Sequence, residues 1–224
     1  MKWKGLLVLS IILFLTACGN NATVNTGSEE LDDTDFDFAN GDGQTFEVIH
    51  AYTLFETYFE EIKEVPNDQH LDVYKSTIID PINDACFADG EFVHLADEYI
   101  NNIPKNRIAL QDVIKRINTK STNEAIKDAL IKSSELLPSD GNTVVCVFPS
   151  SDTTTNVLTL GAGKILITYN RNYTQDILRS ATAHGYLQSV WTQDHYSGSP
   201  LTLLERLVLA GKAVKFEKEV FPNY

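Results

Sequence analysis

The chain has 224 residues, with 18 Lys and Arg against 31 Asp and Glu, and a formal charge of −13 at pH 7. So large an excess of acid repels a polyphosphate backbone, which excludes nucleic acid as a partner. It also repels anionic lipid, so any attachment to a membrane has to come from something other than the overall charge, and the folded part is expected to stand off the surface.

Residues 1–17 have three parts. Lys2 and Lys4 form a positive start, Leu6 to Leu15 form an apolar run, and Leu15-Thr16-Ala17-Cys18 closes the segment with small residues before a cysteine. The apolar run falls short of the roughly 20 residues a helix needs to cross a bilayer, and no charged stop-transfer cluster follows it. The pattern is that of a secretory signal, and its last four residues resemble the lipobox of bacterial lipoproteins. The resemblance implies that Cys18 is acylated, becomes the mature N-terminus and holds the protein on the extracytoplasmic face of the cell membrane. Two acyl chains anchor stably where one does not.

Residues 18–43 read as a disordered acidic tether, with Asn, Thr, Gly and Ser followed by Glu29, Glu30, Asp32, Asp33, Asp35 and Asp37 and little to bury. The acid run lacks the alternating ligands and terminal Glu of an EF-hand loop. Beyond Cys18 the cysteines are Cys86 and Cys146, both in apolar surroundings; a disulfide across the fold and two buried thiols are both open readings.

Residues 44–224 are long enough for a single domain with its own core. The first half reads helical. Val48, Ile49, Tyr52, Phe55, Phe59 and Ile62 predict a helix over 46–62 at the 3.6-residue period, and further helices are expected over 71–82, 92–100 and 123–137, the last stopped by Pro138 and Gly141. The period then changes. Thr143 to Phe148 is a β-branched run ended by Pro149, and residues 156–160 and 164–169 flank Gly161-Ala162-Gly163 as a hairpin. The Gly-Ala-Gly-Lys sequence is not a phosphate loop, since no Ser or Thr follows Lys164 and it opens a strand. Helix returns over 173–191 with an apolar stripe at Ile177, Leu178, Ala181, Leu187 and Trp191. A final helix follows, with Ser199 as N-cap and Pro200 at its first position.

The order of elements from Val144 to Phe221, above all Ser180 to Trp191 and the last helix with Ala210-Gly211, resembles a bacterial family of predicted zinc-dependent proteases, long catalogued as a domain of unknown function and often found as lipoproteins. The resemblance implies an α+β, zincin-like fold: N-terminal helices, a small β-sheet, then two helices around a metal site. In such gluzincins an HExxH motif puts two histidines on one helix face to bind zinc, the intervening Glu polarises the metal-bound water, and a Glu from a later helix is the third ligand. Carried across by position, the first histidine is His184. The general-base position is Gly185, the second histidine is Gln188, and the third-ligand Glu is Ala210.

One imidazole does not hold zinc against water, and a glutamine amide is a weak neutral ligand. The site is therefore expected to be degenerate, with His184 as a remnant ligand, no catalytic residue and no cofactor. A rescue through His195, Asp194 or Glu205 is disfavoured by the spacing; His50, His70 and His94 are scattered singly, Glu205 is expected to pair locally, and Glu217 and Glu219 with Lys215 and Lys218 read as a solvated helix face. The expectation is a catalytically inactive, protease-related lipoprotein domain that binds a peptide or protein, with strand addition to the sheet edge as the mode. The alternative is a zinc-dependent metallopeptidase using non-standard ligands around His184. The chain stops soon after Ala210, where relatives are expected to continue with further helices, so a shortened domain with exposed apolar surface is a further expectation.

Overall fold

The β-branched and aromatic runs of the sequence lie side by side in one five-stranded sheet. The structure, a computed structural model, describes residues 35–154 and 157–222. The signal segment, Cys18 and the tether up to residue 34 lie outside the described residues. Strands β1 (Asp35–Ala39), β2 (Thr45–Ile49), β3 (Thr143–Pro149), β4 (Val157–Gly161) and β5 (Lys164–Tyr169) are arranged in the order β1-β2-β3-β5-β4. The β2/β3 and β3/β5 pairs are parallel, and the outer pairs β1/β2 and β4/β5 are antiparallel. β3 is buried along its whole length, as the apolar run Val144 to Phe148 requires of a strand covered on both faces.

Two expectations about the N-terminal part are corrected here. The tether does not reach Gly43, because Asp-Phe-Asp-Phe-Ala alternates with period two, which lets Phe36 and Phe38 face the core opposite Val48 and Phe46 while the aspartates face water. Residues 46–49 are strand and not helix: Phe46 and Val48 point to one side of the sheet and Ile49 to the other, and β3 supplies the hydrogen-bonding partner. The apolar spacing of that short run fits either period, and the pairing decides. The turn Asn40–Gly43 joins the two strands, with Gly43 at φ +87° and the Asn40 side chain accepting from the Asp42 and Gln44 amides.

One face of the sheet is covered by the segment from Ala51 to Asn101. It holds α1 (Phe55–Glu61), α2 (His70–Tyr74), α3 (Asp80–Ile82) and α4 (Asp97–Asn101), with π-helical turns at Lys75–Ile79 and Asn83–Phe87. The helices expected over 71–82 and 92–100 are thus present in broken form, and Pro81 falls between the two π turns. Phe55, Tyr58, Tyr74, Ile78 and Phe87 pack there on Phe148 and Leu166. Cys86 and Cys146 are joined in a disulfide that ties this layer to the central strand, which settles the choice left open above.

α5 (Arg107–Ile114) gives Leu110 to the cluster on that face and Val113 to the cluster on the other, which carries α6 (Thr119–Leu136), α7 (Gln175–His195) and α8 (Leu203–Val220). Ala125, Ile126, Ala129 and Leu130 of α6 pack with Leu178, Ala183, Tyr186 and Val190 of α7 on Val145, Val147, Ile165 and Ile167. Asn118 and Thr174 cap α6 and α7 through their side chains. The start of the last helix also differs from expectation. Thr202, not Ser199, is its N-cap, because Thr202 and Glu205 form a reciprocal capping box that Ser199 and Pro200 have no means to match. The fold is α+β, with a mixed sheet between two helical layers.

Candidate functional site

α7 crosses the sheet over β4 and β5, and its closeness to them has a local cause. A Cβ built on the buried Gly185 falls 2.7 Å from Ile165 Cγ2 and 3.1 Å from Val157 Cγ2. Only a residue without a side chain lets the helix sit this near the strands. Position 185 therefore faces the sheet, and the glycine's cost to the helix of about 1 kcal/mol has a packing explanation.

One turn apart on α7, His184 and Gln188 share a face, as the i, i+4 spacing requires. Thr159 on β4 donates its hydroxyl to Gln188 Oε1 at 3.0 Å, which leaves the Gln188 amide nitrogen turned toward His184 Nε2 at 3.1 Å. On the other side of the ring, His184 Nδ1 lies 2.5 Å from Glu217 Oε1 of α8. The donors run in one direction: Thr159 O–H to Gln188, Gln188 N–H to His184 Nε2, and His184 Nδ1–H to the Glu217 carboxylate. The imidazole is thereby fixed in orientation and in tautomer, and both side chains of the His184–Glu217 pair are about four-fifths buried.

Glu217 is the residue that sequence reasoning misplaced. It is not part of a solvated face but bridges α8 to α7. Seven residues, two helical turns, separate it from Ala210, so it lies near the same stripe of α8 one step further along. Extending the helical period past position 210 was the signal that could have found it. Ala210 itself is exposed on α8. Glu205 accepts from the Thr202 amide and hydroxyl, which hold its carboxyl below the usual range.

The remaining candidates do not converge on His184. His195 ends the same helix, roughly 16 Å further along its axis, and is exposed and stacked on Trp191. Asp194 is exposed, His50 and His70 are buried, and among these histidines only His94 lines the cleft described below. Among the described residues no group of three or more His, Cys, Asp or Glu could hold a metal ion. At His184 the strong donors are one imidazole and one carboxylate, bonded to each other, and the Nε2 lone pair is aimed at an amide N–H. This donor set does not fit a tetrahedral zinc ion.

Beside this chain of hydrogen bonds runs a cleft of about 430 Å³, lined by Val157, Leu158 and Thr159 of β4, Gln188 and Thr192 of α7, and Leu201, Arg206 and Leu209 around the start of α8. Phe92 and Tyr196 stand at it edge to face, with ring centroids 4.8 Å apart. β4 is an outer strand of the sheet. The Leu160 carbonyl, on its open side, accepts from the Phe92 amide.

These elements define a class: an α+β protein with a pair of helices packed over the edge of a mixed sheet. A family model described as predicted Zn-dependent protease (DUF2268) matches residues 122–224, the part of the chain from α6 onward. No curated protein and no solved structure gives a match.

Proposed function

We propose that this protein is a lipid-anchored component of the cell envelope whose protease-like half is catalytically inactive and binds an extended peptide or protein segment. The observation that carries the reading is the state of His184. Both ring nitrogens are engaged, by Glu217 and by Gln188, and Gly185 faces the sheet, so neither a zinc ligand set nor a water-activating carboxylate stands at the position where the family resemblance expects them. The cleft suits a segment added beside β4: the strand is an outer one of the sheet, and Val157, Leu201 and Leu209 supply apolar contact. The anchor is Cys18, with a membrane as the first partner and the peptide or protein as the second.

One observation favours a second reading, a metallopeptidase with non-standard ligands, because Glu217 brings a carboxylate to His184 that the motif comparison does not contain. Zinc content separates the two. The chain from Gly19 to Tyr224, which keeps β1, is purified without chelators beside a His184→Ala variant and measured by elemental mass spectrometry. The inactive reading expects no bound zinc in either protein. Near-stoichiometric zinc that disappears in the variant overturns it and assigns His184 and Glu217 as ligands.

A further inference from the structure

α8 carries apolar residues on two opposite sides. Leu209, Ala213, Phe216 and Val220 face inward, while Leu203, Leu204, Leu207, Val208 and Val214 are 47 to 74 % exposed on the outside. At 100° per residue these five, with Ala210, Gly211, Lys215 and Lys218, fall within an arc of roughly 160° that contains no carboxylate. The acids of α8 lie on its flanks: Glu205 is held in the capping box and Glu217 by His184, while Glu219 reaches Lys215 from beside the arc. On a chain of net charge −13, a continuous helical face with leucines at one end and lysines at the other departs from the rest of the molecule.

The geometry points to α8 as an interfacial helix that lies on the lipid surface, its leucines at the headgroup boundary, Lys218 among anionic headgroups and Lys215 beside it, exchanging Glu219 for a lipid phosphate. This pattern of an apolar face with lysines able to extend toward phosphates is the one that binds in the plane of a membrane. Charge selects lipid over a second copy of the chain. A two-fold pairing would set two copies of Lys218 into one apolar interface, with Glu205 held in its capping box and the Glu219 charge offset by Lys215. The inference rests on the reading above for the anchor that brings the chain to the membrane, while the α8 face is expected to bind lipid without it. The overall repulsion expected from composition is then overcome at one face only.

The test uses the chain from Gly19 to Tyr224, which lacks the acylated cysteine and retains every described element, with vesicles of phosphatidylcholine mixed with phosphatidylglycerol and of phosphatidylcholine alone. The chain is expected to sediment with the mixed vesicles. The Leu204→Ser/Leu207→Ser variant, altered only at exposed positions, should keep the thermal midpoint and bind about tenfold less or weaker still. The Lys215→Gln/Lys218→Gln variant should lose the preference for anionic vesicles. A chain that stays in the supernatant, or variants that bind as well as the parent, overturns the inference. So does a dimer in sedimentation velocity that the leucine variant dissolves, since that assigns the face to a second copy. Incorporation of labelled palmitate into the full-length chain, with Cys18→Ala as control, tests the anchor independently, so the anchor and the α8 face fail on different readouts.

Discussion

Gly185→Ala tests whether position 185 is a packing position. In a helix interior the change from Gly to Ala stabilises by about 1 kcal/mol. Against this stands the contact that the new methyl makes, 2.7 Å from Ile165 Cγ2 and 3.1 Å from Val157 Cγ2. Ile165 is buried in the sheet, and its Cγ2 is fixed close to the backbone, so it has no flexible end to move aside. Overpacking of this kind costs about 1–3 kcal/mol. The expected outcome is therefore a net loss of about 1 kcal/mol, a fall in midpoint of roughly 2–4 °C for a domain of this size, measured by thermal and urea unfolding with the disulfide intact. In an Ile165→Ala background the 2.7 Å clash is gone and only the milder approach to Val157 remains, so the same substitution should become near neutral or stabilising, a coupling of about 1–3 kcal/mol. Stabilisation of the parent by the full helix-propensity increment would refute the reasoning and return Gly185 to the status of an unexplained loss. Gly185→Glu should be far more damaging, because it forces a carboxylate against Ile165 and Val157.

Glu217→Ala removes the acceptor of His184 Nδ1 and one tie between α7 and α8, and is expected to cost about 1–3 kcal/mol in urea unfolding; an unchanged midpoint would mean that the pair contributes nothing to the fold. The Cys86–Cys146 disulfide closes a loop with a sequence separation of 60, for which chain entropy predicts a loss of roughly 4 kcal/mol on Cys86→Ala/Cys146→Ala substitution, visible as a lowered urea midpoint that reducing agent no longer changes. Burial pushes the Tyr186 phenol up to about 12, with its hydroxyl 2.8 Å from the Leu137 carbonyl and 3.0 Å from Gln44 Oε1. The folded-state value lies above the unfolded value near 10, so the fold favours the neutral phenol; that contribution is present below pH 10 and is lost as pH rises toward 12. Tyr186→Phe should flatten part of the alkaline decline in stability, while removing the one hydroxyl hydrogen shared by the Leu137 carbonyl and Gln44 Oε1 at a cost of about 1 kcal/mol at neutral pH.

The sequence carried its own evidence wherever a long period repeats. α6 and α7 are readable from their apolar spacing, β3 from its β-branched run and Pro149, and the β4–β5 hairpin from Gly161-Ala162-Gly163. The two short strands β1 and β2 were not readable in this way. Five residues of alternating Asp and Phe resemble an acidic linker until a partner strand exists, and Phe46 to Ile49 fit a helical period as well as a strand until β3 pairs with them. α5, with two buried residues, also escaped because its apolar pattern is short.

At the site, sequence alone established which residue types are present: one histidine, a glycine, a glutamine and an alanine at the positions where the resemblance expects His, Glu, His and Glu. It determined that much because identity at a motif position is local information. What those residues do instead was decided by tertiary structure. Glu217 reaches His184 from 33 positions away, Thr159 orients Gln188 from another strand, and the reason for Gly185 lies in the side chains of Ile165 and Val157. The outward leucines of α8 likewise became a surface feature only once the packing showed which side of the helix α7 covers. Each of these depends on distances between elements far apart in the chain, and such distances are set by how the layers pack and not by the order of residues within any one of them.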